Sequence, residues 1–130
     1  MTTTTTNTDN ISNSIDIAGV EREYIECALW SSVDDDGDPL DLLGIEALAL
    51  ETRSKMSRDV ADFVLKNQAL LKASNLTAED IGHCFWLNRN RHGSGFWDRD
   101  LGAIGDMLDD ACKVYPPVDL YVGDDGEIHH

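Results

Sequence analysis

Apolar residues recur every three or four positions through most of this chain, the spacing that gathers side chains on one face of a helix. Over residues 20–31, Val20, Tyr24, Cys27 and Ala28 keep that spacing. Glu21 and Glu23 suit the positive N-terminal end of the helix this predicts. The run Asp34, Asp35, Asp36, Gly37, Asp38 and Pro39 then carries turn and helix-breaking chemistry, so a surface loop is expected there.

A longer helix is predicted over about residues 48–73. Met56, Val60, Phe63, Val64 and Leu71 fall on one stripe, and Arg53, Lys55, Arg58 and Lys66 are free to stay in water. Asn75 marks its end. The next start is the clearest local signal in the chain: Thr77 as N-cap, Asp80 at the third helical position as a capping-box partner, and Leu76 with Ile81 as a hydrophobic staple. That third helix buries Ile81, Cys84 and Phe85 and runs to about Asn90. A loop at His92, Gly93, Ser94 and Gly95 follows. Asp100 is the expected cap of a fourth helix carrying Leu101, Ile104, Leu108, Ala111 and Cys112 inward, ended by Pro116 and Pro117.

From Val118 to Val122 the period changes to two, and Gly123, Asp124, Asp125 and Gly126 supply a turn before Glu127, Ile128, His129 and His130. A small C-terminal β-hairpin is predicted, docked on the helices because two strands alone are marginal. The expected fold class is α+β, with about four helices packed in one domain. Residues 1–18 are threonine-rich and polar, a composition that cannot offset its ordering entropy, and read as a disordered tail. Residues 19–130 read as the single compact domain.

With 25 acidic against 10 basic residues, the chain carries a formal charge of −15. That charge opposes direct attraction to nucleic acid or to an anionic membrane surface. The same field attracts basic partners, so mimicry of DNA toward a nucleic-acid enzyme is one function class to weigh. Three widely separated cysteines, with no apolar leader ahead of them, argue against a secreted disulfide scaffold and for a reducing cytoplasm. No apolar run reaches the length of a membrane span.

Candidate chemistry concentrates between residues 83 and 99, which hold two of three tryptophans, two of three phenylalanines and three of six arginines. Guanidinium forks beside aromatic faces and a glycine loop suit a carboxylate, a phosphate or an acidic peptide. The candidate binding residues are Trp86, Arg89, Asn90, His92, Gly93, Gly95, Phe96, Trp97, Asp98 and Arg99. The competing structural reading puts the arginines in pairs with nearby aspartates and the aromatic rings in the core. His83, Cys84, His92 and Asp98 lack the paired short spacings of zinc ligands, so no metal and no cofactor is expected. Ser94 sits in Gly-Ser-Gly, which is not the nucleophile elbow, and no catalytic residue is assigned. Asp34, Asp36 and Asp38 alternate as in a calcium loop, but Pro39 and Ile45 stand where that loop needs glycine and glutamate.

The string His83-x-Phe85-Trp86-Leu87-x-Arg89-Asn90-x-His92-Gly93-x-Gly95-Phe96-Trp97-Asp98-Arg99, followed by Asp119-Leu120-Tyr121-Val122-Gly123-Asp124-Asp125-Gly126, resembles a group of short acidic proteins of bacteriophages and prophages. Asn88, Arg91 and Ser94 depart from that pattern, which favours threonine, glycine and alanine there. The resemblance implies a setting rather than a chemistry: a phage accessory protein in the cytoplasm of an infected bacterial cell, with a host or phage protein as partner. The leading expectation is a non-enzymatic protein that binds its partner through the aromatic and arginine-rich loop. A DNA-mimicking inhibitor, and a small enzyme or anion-binding module using His83, His92, Asp98 and the arginines, are the alternatives.

Overall fold

Asp16 opens the first helix: its carboxylate accepts a hydrogen bond from the Gly19 N–H at 3.0 Å, satisfying one of the donors a helix start leaves free. In the computed structural model, which describes residues 14–91 and 95–130, α1 therefore spans Ile17–Ser31. It begins three residues before the start predicted from periodicity. Ile15 and Ile17 pack against the core, so of the expected polar tail the described residues 14–18 belong to the domain. Residues 1–13 lie outside the described residues.

The acidic loop is a built turn. The Asp34 side chain accepts from the amides of Asp36 and Asp38, each at 2.9 Å, and Gly37 adopts φ +85°. Two single 3₁₀ turns, Leu40–Leu42 and Ile45–Ala47, lead to α2 over Leu50–Lys66. A short α3, Gln68–Ser74, follows. The one long helix expected here is thus broken at Asn67, whose side-chain amide donates to the Phe63 carbonyl at 2.8 Å. That local bond offers the backbone an alternative to continuing the helix. The inward stripe is as expected: Met56, Val60, Phe63, Val64 and Leu71 are all buried.

Asn75 stops α3 in the left-handed conformation, φ +61°. The helix α4, Ala78–Arg89, then starts with the predicted capping box: Thr77 Oγ1 accepts from the Asp80 amide at 3.1 Å, and the Asp80 carboxylate accepts from the Thr77 amide. The helix α5, Ala103–Cys112, starts later than predicted and without Asp100 as its cap. Gly102, at φ +62°, holds that position and offers no side chain. The strands β1 (Tyr121–Val122) and β2 (Ile128–His129) form the expected antiparallel hairpin. It docks on α2: the Thr52 hydroxyl and the Ala49 amide both donate to the Ile128 carbonyl, at 3.0 and 3.1 Å. Among the described residues, five helices and one small hairpin make this an α+β domain, with one helix more than expected.

The most extensive helix contact is between α1 and α4. Gly82 permits it. A methyl group there would meet the Val20 carbonyl oxygen at 2.6 Å and the Tyr24 nitrogen at 2.7 Å, both backbone atoms. Beneath this crossing lies an aromatic cluster. Phe63 stacks on Phe85 with centroids 4.2 Å apart, and Tyr24, Phe96 and Tyr115 close around them. Among the described residues, no helix is long and apolar enough to cross a membrane.

Cys27, Cys84 and Cys112 are buried and unpaired. Burial pushes the Cys27 thiol up to about 11 and raises Cys84 and Cys112 as well. A thiolate is the reacting species, so native protein is expected to resist a thiol-specific reagent such as Ellman's at pH 8. Three thiols should react once denaturant is added.

Candidate functional site

The segment nominated by composition divides in two. In its first half Cys84, Phe85, Trp86, Asn88 and Arg89 are buried. The Arg89 side chain is 2% exposed, and its fork is spent on three elements. Nη1 donates to Asp59 Oδ2 of α2 at 2.9 Å and to the Tyr24 hydroxyl of α1 at 3.1 Å. Nε and Nη2 donate to the Pro116 carbonyl at 3.0 and 2.7 Å. The guanidinium also lies 5.5 Å from the ring centres of Phe85 and Tyr115. Burial pushes the Tyr24 hydroxyl up to about 12, against the pull of the neighbouring guanidinium.

Trp86 and Phe96 are buried as well, and the Trp86 indole N–H donates to the Ser31 hydroxyl at 2.8 Å. Asn90 closes the same region: its side-chain oxygen accepts from the Val118 amide at 2.7 Å, and its amide group donates to the Trp86 carbonyl. The expectation that Trp86, Arg89, Asn90 and Phe96 face a partner is therefore corrected. Their polar atoms are committed to the fold and their rings fill the core. His92 and Gly93 lie outside the described residues.

Asn88, one of the departures from the phage pattern, is the residue that shapes the second half. It is buried, accepts from the Phe96 amide at 3.1 Å and donates to Asp109 of α5 at 2.8 Å. Gly95 passes so close to it that a Cβ would collide with the Asn88 side-chain oxygen. Gly105 of α5 lies similarly against the Phe96 carbonyl. These contacts fix a single 3₁₀ turn, Phe96–Asp98, with Phe96 inward and Trp97 outward, 49% exposed. Asp98 and Arg99 are exposed beside it, and Arg99 Nη1 donates to Asp80 of α4 at 3.0 Å.

Arg91, a second departure, holds φ +56° just after the end of α4. That conformation costs an L-residue roughly 1–2 kcal/mol and a glycine little. Arg91→Gly is expected to raise the urea midpoint, by a stability gain of about 0.5–1 kcal/mol.

Of the residues of the enzyme alternative, His92 lies outside the described residues, and the described His83, Arg89 and Arg99 are each engaged with a different carboxylate. His83 Nε2 lies 3.5 Å from Glu23 of α1, Arg89 reaches into the core, and Arg99 reaches Asp80. A different trio converges at the hairpin tip, where ligand atoms of Asp125, Glu127 and His129 lie within 4.8 Å of one another. The alternation of these residues from the turn into β2 was the signal for it. Asp125 is occupied there: the Glu127 amide and His129 Nε2 hold its carboxylate below the usual range and tie off the turn.

One further surface feature was not legible in sequence. A cleft of about 380 Å³ runs between residues 33–36 and residues 119–122, with Val33, Leu43 and Tyr121 exposed on it and aspartates along its rim. Comparison with protein families, curated proteins and solved structures finds no match for this chain.

Proposed function

We propose that this chain is a small acidic accessory protein of the phage type that works by binding a protein partner, with the turn at residues 97–99 as its contact. The observation that supports this reading is the exposure of Trp97 on a turn whose backbone is immobilised from below by Asn88, Phe96 and Gly105. Tryptophan and arginine dominate the energetics of protein interfaces, and a rigid mount lowers the entropy lost on binding. Arg99 adds a donor fork half in solvent.

The test is affinity capture from a bacterial host lysate, comparing the intact protein with Trp97→Ala and Arg99→Ala after each variant is shown to fold. A host protein held by the wild type and lost with Trp97→Ala is the expected result. Capture unchanged in both variants would overturn the reading. The −15 charge supports a second reading, mimicry of nucleic acid. In that case the captured protein is a nucleic-acid enzyme, released by salt and indifferent to Trp97.

A further inference from the structure

We infer that the cleft between residues 33–36 and 119–122 is a second docking surface, which takes an extended, basic segment of a partner protein. Three features specify the occupant. Its rim is anionic: Asp35, Asp36 and Asp119 line it, and no described cation pairs with any of them. Beside those carboxylates the lining carries three exposed apolar side chains, Val33, Leu43 and Tyr121, each between 46% and 56% exposed. One wall is the approach to β1 and β1 itself, four consecutive residues ending at Val122.

β1 is an edge strand. Among the described residues it pairs with β2 alone, and the next contact beyond β2 is the Leu48–Ile128 bridge on the far side. An open strand edge recruits an extended peptide through main-chain hydrogen bonds, with alternate side chains pointing to opposite sides. A strand carrying lysine or arginine at every second position and aliphatic residues between them satisfies both the carboxylate rim and the apolar lining. A second copy of this chain does not, because it brings the same rim and the same charge of −15.

This surface does not involve the Trp97 turn, so the two assignments fail separately. The test uses the full chain, labelled with ¹⁵N, titrated with a blocked octapeptide of alternating lysine and valine. A lysine and glycine octapeptide of equal charge is the control. Shifts confined to residues 33–36, 43 and 119–122, with at least tenfold tighter binding of the lysine and valine peptide, are expected. Asp35→Asn with Asp119→Asn, and separately Tyr121→Ser, should each weaken that binding at least fivefold, while Trp97→Ala leaves it unchanged. Equal affinity for the two peptides would overturn the inference, because charge alone would then account for binding. So would shifts scattered over the acidic surface, or no binding at millimolar peptide.

Discussion

Arg89→Ala is expected to destabilise the protein by about 3–5 kcal/mol, the cost of breaking a buried ion pair from one side. The wild-type guanidinium is nearly inaccessible and joins α1, α2 and α4 to the Pro116 segment. Alanine would leave the Asp59 carboxylate, the Tyr24 hydroxyl and the Pro116 carbonyl without the Arg89 donor and would open space beside the Phe85 and Tyr115 rings. For a domain whose total stability is on the order of 5–15 kcal/mol, that loss brings the unfolded state within reach at physiological temperature. Arg89→Lys keeps the charge but not the fork, so only part of the network can re-form. An intermediate loss is expected. Urea unfolding followed by far-ultraviolet circular dichroism measures both. A loss below about 1 kcal/mol for the alanine variant would mean that the guanidinium is solvated rather than buried.

Gly82→Ala carries the second large effect. The added methyl has no flexible side chain to displace, since its nearest neighbours are the Val20 carbonyl oxygen and the Tyr24 nitrogen. The helices α1 and α4 must move apart, loosening the contact between Tyr24 and Phe85, whose centroids are 5.2 Å apart. Overpacking of this kind costs about 1–3 kcal/mol, partly offset by the better helix propensity of alanine. The expected net loss is about 2 kcal/mol, read as a lower thermal midpoint. Gly102→Ala is the control. It meets no neighbouring atom and bears only the cost of a positive φ, so the tertiary structure should persist.

The parts of the fold written in local chemistry were legible. The box at Thr77 and Asp80, the stop at Asn75, the stripe from Met56 to Leu71 and the glycine-turn hairpin each depend on residues close in sequence. The misplaced boundaries have local causes with a competing outcome. Asn67 could continue a helix or bond back to Phe63, and Asp100 could cap α5 or leave that place to Gly102. The nominated site was legible only as an unusual composition. Nothing local distinguishes an arginine that faces water from one that meets Asp59, Tyr24 and Pro116, because those partners lie 27 to 65 residues away. The cleft was illegible for the same reason, since its two walls come from opposite ends of the domain.

Within the aromatic and arginine-rich segment, Trp86, Arg89 and Phe96 belong to the core and Trp97 to the surface. Urea unfolding of Trp97→Ala beside Arg89→Ala tests this division most directly. The prediction is that Trp97→Ala stays within about 1 kcal/mol of wild type while Arg89→Ala loses several. A loss for Trp97→Ala of about 3 kcal/mol or more, as for a buried tryptophan, would place that ring in the core and contradict the account.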